Sequence, residues 1–197
     1  MEPTTSAPRR GPGRPRSSST PDAIRRAAAA LFAERGFTGT SVRDIATRAG
    51  SDPAVVIRHF GTKEKLFLEV VPVAPHFRAL TEGPLETLGR SILDRLVGSG
   101  DSTLRVLATA LGALDRPEVH HYLEQTTVRN IVEPLAARLS GPRAGLRAYL
   151  VAAQIGGLLL AVDLFASAPV ELADAEALDC YAEAIQALID DPAADRA

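Results

Sequence analysis

The stretch TSVRDIATRAGSDPAVVIRHFGTKEKLF, residues 40–67, constrains the fold more tightly than any other part of the chain. Two glycines, Gly50 and Gly61, each close a short run, and each run opens on a side chain able to accept hydrogen bonds from a first helical turn. Thr40 or Ser41 opens the first, where Val42, Ile45, Ala46 and Ala49 recur at i, i+3, i+4 and i+7. Asp52, with Pro53 after it, opens the second, which carries Val55, Val56 and Phe60 beside the polar Arg58 and His59. Thr62 opens a third, KEKLF, which runs on into LEVV and stops before Pro72. Helices this short are unstable in isolation, so packing must hold them. Two of them joined by a tight glycine turn make the helix-turn-helix arrangement, which delivers the second helix into a major groove. A groove about 12 Å wide needs only about two helical turns for base contact, which accounts for the shortness. The same pattern also fits a small three-helix bundle with no nucleic-acid role.

Upstream, Thr20, Pro21 and Asp22 form a helix start, and Ile24, Ala27, Ala28, Leu31 and Phe32 make one apolar face. Gly36 ends that helix in a left-handed cap, and Phe37 is expected to fold back onto the face. Residues 1–19 are rich in Pro, Gly, Ser and Arg without apolar periodicity and read as a disordered basic arm. Within it Gly13-Arg14-Pro15-Arg16 is narrow, extended and cationic, suited to a minor groove, and looks like half of an AT-hook with Pro12 where arginine would stand.

The charge agrees with a phosphate-facing N-terminal unit. Residues 1–68 hold 12 of the 22 basic residues and 6 of the 24 acidic ones, leaving that segment at +6 and the remainder at −8. An acidic C-terminal surface is kept off DNA. Ala and Leu dominate, aromatic residues make up 5% and Trp is absent, which favours helices on helices over sheets; the fold class is all-α. At 197 residues the chain has length for one domain and a smaller appended module. A single cysteine, Cys180, makes no internal disulfide and needs no oxidising compartment, so a cytoplasmic location is expected. The most apolar stretch, 149–165, is interrupted by Gln154 and Asp163 and reads as too short to span a bilayer, so no membrane partner is expected.

Beyond Pro84 the apolar pattern is helical nearly throughout: 85–97, 102–114, 117–139, 143–165 and 173–189. Pro134 predicts a kink after Val132. Polar or aromatic groups on otherwise apolar helices are the usual orienting groups of a small-molecule pocket, and His76, Phe77, His121, Tyr122, Gln125, Tyr149, Gln154 and Phe165 are the candidates. The run His120-His121-Tyr122 invites a metal reading, but adjacent helical residues point about 100° apart and no third ligand is spaced to join them, so neither metal nor cofactor is expected. There is no Gly-rich phosphate loop, no nucleophile elbow and no cysteine with a placed histidine, so an enzyme is not expected.

The segment ALFAERGFTGTSVRDIATRAGSDPAVVIRHFGTKEKLF closely resembles the DNA-binding domain of the tetracycline-repressor (TetR) family, from its F...G...T.V..IA..AG framework to its closing HF..K..L signature. The match runs nearly unbroken over residues 21–68, and LRAYLVAAQIGGLLLAVDLFASAPV is similar to the late helix of a common actinobacterial subgroup. The resemblance implies an all-helical homodimer with a helix-turn-helix domain over 20–68, a helical effector-binding and dimerisation domain over 69–191, and a tail over 192–197. It implies a recognition helix at 52–59 with Ala54, Val55, Arg58 and His59 facing the groove, and Thr40, Arg43 and Lys63 meeting phosphates beside Arg14 and Arg16 of the arm. Where the family often has a tyrosine near the end of that helix as a phosphate contact, this chain has Ile57, so affinity is expected to depend more on the arginine arm and on Arg58. The helix at 143–165 is apolar around much of its circumference, and with 173–189 it would supply each protomer's half of a four-helix dimer interface; a monomer with a buried central helix is the alternative.

The expected function is a transcriptional regulator, a repressor released from a pseudo-palindromic double-stranded DNA operator by a small apolar effector. Two other readings remain: a constitutive, weakly specific DNA-packaging protein relying on the arginine arm, and a helical enzyme carrying a vestigial DNA-binding module.

Overall fold

The computed structural model describes residues 20–97, 102–164 and 175–190. The arm with Arg14 and Arg16, Phe165 and the 192–197 tail lie outside these residues.

The first helix, α1 (Thr20–Arg35), buries the five residues of its apolar stripe, Ile24, Ala27, Ala28, Leu31 and Phe32. Gly36 at φ 67° ends it, a backbone conformation that costs other residues about 1 kcal/mol or more. The turn sends Phe37 back over α1, where its ring stacks on Phe32 at 6.0 Å. Phe67 meets both rings edge-on, at 5.0 Å and 5.1 Å. That aromatic cluster is the hub on which α2 (Val42–Ala49), α3 (Pro53–Phe60) and α4 (Lys63–Val70) are assembled. Every one of these short helices is capped as the sequence predicts, which is how they hold their ends despite their length.

A fifth helix, α5 (Val73–Leu80), follows directly after Pro72, where the sequence reading ends the preceding helix and assigns none until Pro84. Pro75 falls in the first turn, where a backbone N–H would lack an intrahelical acceptor in any case, so its missing donor is harmless. Val73, Phe77 and Leu80 then fall at i, i+4 and i+7 and enter the core.

A 3₁₀ turn (Leu85–Thr87) leads into α6 (Leu88–Val97), followed by α7 (Ser102–Leu111) and α8 (Pro117–Thr127). The break near Pro134 takes a specific form. A π-helical turn, Val128–Val132, separates α8 from α9 (Glu133–Arg138), with the Glu133 N–H bonding the Val128 carbonyl. Pro134 has no N–H to give Asn130 and its ring crowds that carbonyl, so the preceding turn widens by one residue. Asn130 is buried there, its amide donating to the Thr126 carbonyl at 2.8 Å.

Two longer helices complete the chain, α10 (Ala144–Leu164) and α11 (Ala175–Asp190). By length and composition, residues 144–161 of α10 are apolar enough to cross a membrane, so the helix is longer than its most apolar stretch suggested. One side of it, with Ala148, Val151, Ile155, Leu158 and Leu159, is in the protein core. Arg147 is also buried; it donates to the Ile189 carbonyl at 2.9 Å and to the Ser140 carbonyl, tying the start of α10 to the end of α11. The α6–α11 contact is close because Gly89 faces the backbone of Ala182 and Gln186 and donates to the Gln186 side chain at 2.9 Å.

Candidate nucleic-acid interface

The second helix of the motif is positioned by caps at both ends. Ser41, rather than Thr40, caps α2: its hydroxyl accepts from the Asp44 N–H at 3.1 Å, while Asp44 accepts from the Ser41 N–H at 2.9 Å. The Ser41 hydroxyl also donates to the Asp44 carboxylate, and it and the Ser41 N–H hold that carboxyl below the usual carboxylate range, the hydroxyl most of all. At the far end Gly50, φ 62°, closes a Schellman turn, with Ser51 N–H on the Ala46 carbonyl at 2.9 Å and Gly50 N–H on the Thr47 carbonyl at 3.2 Å. Two residues later Asp52 accepts from the Ala54 N–H at 2.7 Å, and Pro53 occupies the first position of α3.

Val56 and Phe60 anchor α3 in the core, so the opposite face is fixed in direction. Ala54, Ile57, Arg58 and His59 are exposed on it and Val55 is half-buried. Ile57 has 45% of its surface open to solvent. No ion-pair partner of Arg58 appears among the described residues, whereas Arg25 is held by Glu69 at 2.6 Å and Asp22 at 2.8 Å, and Arg48 by Glu34 at 2.8 Å. The Arg25 pair braces α1 against α4. Arg43 is exposed near the start of α2.

Two of the residues expected at phosphates are engaged elsewhere. Thr40 is only 1% exposed, and its hydroxyl lies 3.1 Å from the Leu31 carbonyl and 2.9 Å from that of Gly36, where it stabilises the end of α1. A β-branched hydroxyl placed just after a helix end satisfies orphan carbonyls there, and that use won. Lys63 is partly buried, its ammonium donating to the carbonyls of Phe37 at 3.0 Å and Thr40 at 2.9 Å and sitting 3.9 Å from the Phe37 ring centre. Burial is the main cause of its pKa lying below the ordinary lysine value. Arg116, from the turn between α7 and α8, approaches the same ring to 5.6 Å, so the C-terminal half touches the motif at Phe37.

The effector candidates do not converge. Phe77 is core, Tyr122 packs against the core, and Tyr149 is exposed on α10. His121 and Gln125 are exposed and bond each other at 2.9 Å. Gln154 is half-buried, its carbonyl accepting from the Tyr181 hydroxyl at 3.1 Å. His76 bonds Thr103 at 3.1 Å. Among the described residues no three metal-ligating side chains cluster. The described apolar cleft lies instead between α1, α4 and α7, about 420 Å³, lined by Ala29, Ala33, Val70, Val71 and Val106 with Glu34 and Thr109 at its polar edge. Sequence reasoning missed it because three helices far apart in the chain build it from small residues that look like ordinary core.

Comparison with known proteins agrees with this geometry. Residues 24–70 match the family model of bacterial regulatory proteins, tetR family, and residues 86–189 match the tetracyclin repressor-like C-terminal domain. A TetR-family regulator from Streptomyces coelicolor A3 superposes with a TM-score of 0.57, at 30% identity over 92% of this chain and all of that one. The multidrug binding protein EbrR, solved with imidazole, shares the fold at a TM-score of 0.64, with 22% identity over 85% of this chain and 93% of its own. The HTH-type transcriptional repressor Rv3405c of Mycobacterium tuberculosis is 42% identical over 95 residues, 45% of each chain, so this chain spans about half the length of the curated relatives it matches. With both of its halves matched and its helix-turn-helix capped at every joint, the chain belongs to the TetR family of helix-turn-helix transcriptional regulators.

Proposed function

We propose that the protein is a cytoplasmic, ligand-responsive repressor that binds a pseudo-palindromic operator as a homodimer and is released by a small apolar effector. The observation that carries the reading is α3 itself. Its core face is fixed by Val56 and Phe60, its start by Asp52 and Pro53, and its outward face offers Ala54, Ile57, Arg58 and His59 to a groove. In this reading Arg43 and the arm arginines, Arg14 and Arg16, contact phosphate and minor groove.

A dimer is supported by α10. Leu146, Leu150, Ala153, Gly157 and Leu160 recur at alternating four- and three-residue steps and are all exposed, Leu146 at 56% and Leu160 at 57%. That seam has the spacing of a helix–helix contact, and its three leucines are open to solvent in one chain. Pairing two seams fixes the distance between the two α3 helices, and with it the operator half-site spacing.

Release follows by population shift. The cleft between α1, α4 and α7 touches Val70 and Val71 at the end of α4, the helix joined to α3 by the short Gly61–Thr62 turn. An apolar occupant that binds best when α4 has tilted away from α7 moves α3 out of half-site register, so effector and DNA oppose each other by linkage.

The test is selection of bound sites from randomised DNA with the full-length protein at near-physiological salt. Enrichment of an inverted repeat supports the reading, and inserting about five base pairs, half a turn, between half-sites then abolishes tight binding. Recovery of A·T-rich sequence without symmetry would leave the arginine arm as the main reader, and the packaging reading would replace this one.

A further inference from the structure

We propose that Ile57, with Ala54 beside it, is a specificity-determining residue that reads the 5-methyl group of thymine in each operator half-site. The inference rests on the operator-binding reading above and names the base chemistry that α3 selects.

A single exposed aliphatic side chain is unremarkable on most surfaces. Ile57 differs in position. It is held on the outward side of α3 by the burial of Val56 and Phe60, in the middle of the helix that the motif presents to base edges, and it is 45% exposed. Ala54 precedes it by one helical turn and Arg58 follows it, so the outward face is an aliphatic strip with a guanidinium alongside. Neither Ala54 nor Ile57 has a hydrogen-bonding side chain, so neither can read the donors and acceptors of a base. The major groove offers aliphatic groups one sequence-dependent partner, the thymine methyl, which is absent from every other base. Arg58 next to the strip carries the donors suited to guanine or to phosphate, and among the described residues it has no ion pair to give up.

The experiment uses the full-length protein, the inverted repeat recovered by selection, and copies of that repeat in which thymines are replaced one position at a time by uracil, symmetrically in both half-sites. Uracil keeps the pairing and the O4 acceptor and lacks only the methyl. At one or two thymine positions per half-site the wild-type protein loses affinity by about fourfold for each methyl removed, the worth of one buried carbon. In Ile57→Ala that loss disappears at the position Ile57 reads, and repeated selection with the variant no longer fixes thymine there. Ala is a good helix former at an exposed site, and thermal unfolding of the variant checks that α3 is intact. If no uracil substitution weakens wild-type binding, or if Ile57→Ala keeps the full uracil penalty, the inference is overturned while the sequence-specific dimer stands. If selection returns no inverted repeat, both fall together.

Discussion

The Lys63 ammonium lies 3.9 Å from the centre of the Phe37 ring and donates to the carbonyls of Phe37 and Thr40, so the first residue of α4 holds the turn between α1 and α2. Replacing it with Met keeps the stem over the ring and removes both donors. Lys63→Met should lower unfolding stability by about 1.5–3 kcal/mol, the range for hydrogen bonds to a charged group, measured by urea denaturation. The same variant should leave the salt slope of operator binding unchanged. A slope smaller by about one would mean that Lys63 exchanges its carbonyls for a phosphate on DNA.

Asp44 gives a pH signature. Its folded-state pKa is depressed by the Ser41 hydroxyl and N–H, so its contribution is present above the ordinary aspartate value and is lost as pH falls through the depressed one. Thermal melts of wild type and Asp44→Ala should therefore differ at neutral pH and draw together in strong acid. A gap that stays constant across that range would show the capping box contributing nothing through the ionised carboxylate.

At Gly89 a Cβ would come within 2.4 Å of the Ala182 carbonyl and 2.9 Å of the Gln186 nitrogen, backbone atoms that cannot rotate away. Gly89→Ala has to push α11 off α6, and a loss of about 1–3 kcal/mol is expected from overpacking of this kind. A midpoint equal to wild type in chemical denaturation would mean that the two helices are not in this close contact.

The α10 seam makes the dimer testable. Leu160 is 57% exposed in one chain, so Leu160→Glu leaves the monomer core alone and places a charge in the interface of the pair. Sedimentation velocity should show a monomer that retains helical structure and has lost tight operator binding. A variant that still sediments as a dimer would place the interface elsewhere.

Much of the DNA-binding unit was legible because its information is local. Ser41, Asp52 and Thr62 as caps, Gly36, Gly50 and Gly61 as terminators, and the stripe from Ile24 to Phe32 are decided within one or two helical turns, and the structure has each in that role. Helix α5 was illegible because the harm done by a proline depends on its place in a helix, and Pro75 sits where it does none. The π turn was half legible: Pro134 marked the defect, but a missing N–H can be met by a kink or by a turn widened by one residue, and the sequence pattern does not distinguish the two.

The side-chain roles divide in the same way. The family resemblance implied Ala54, Val55, Arg58 and His59 as the groove-facing set; with Val56 and Phe60 buried, Ala54, Arg58 and His59 are exposed together with Ile57, and Val55 is half-buried. Spacing could not say that Thr40 turns inward to the end of α1, which depends on how the turn after Gly36 folds back, or that Lys63 reaches back to Phe37 and Thr40, more than 20 residues earlier in the chain. It also scattered the effector candidates, whereas the cleft is lined by alanines and valines from α1, α4 and α7 whose side chains carry no mark of their own. The sequence by itself determined the four helices of the DNA-binding unit, their ends and their apolar faces, because hydrogen-bond caps and periodicity act over a few residues. The tertiary structure alone decided which polar groups stay free for a partner and where space remains between helices, because both depend on what the fold brings alongside them.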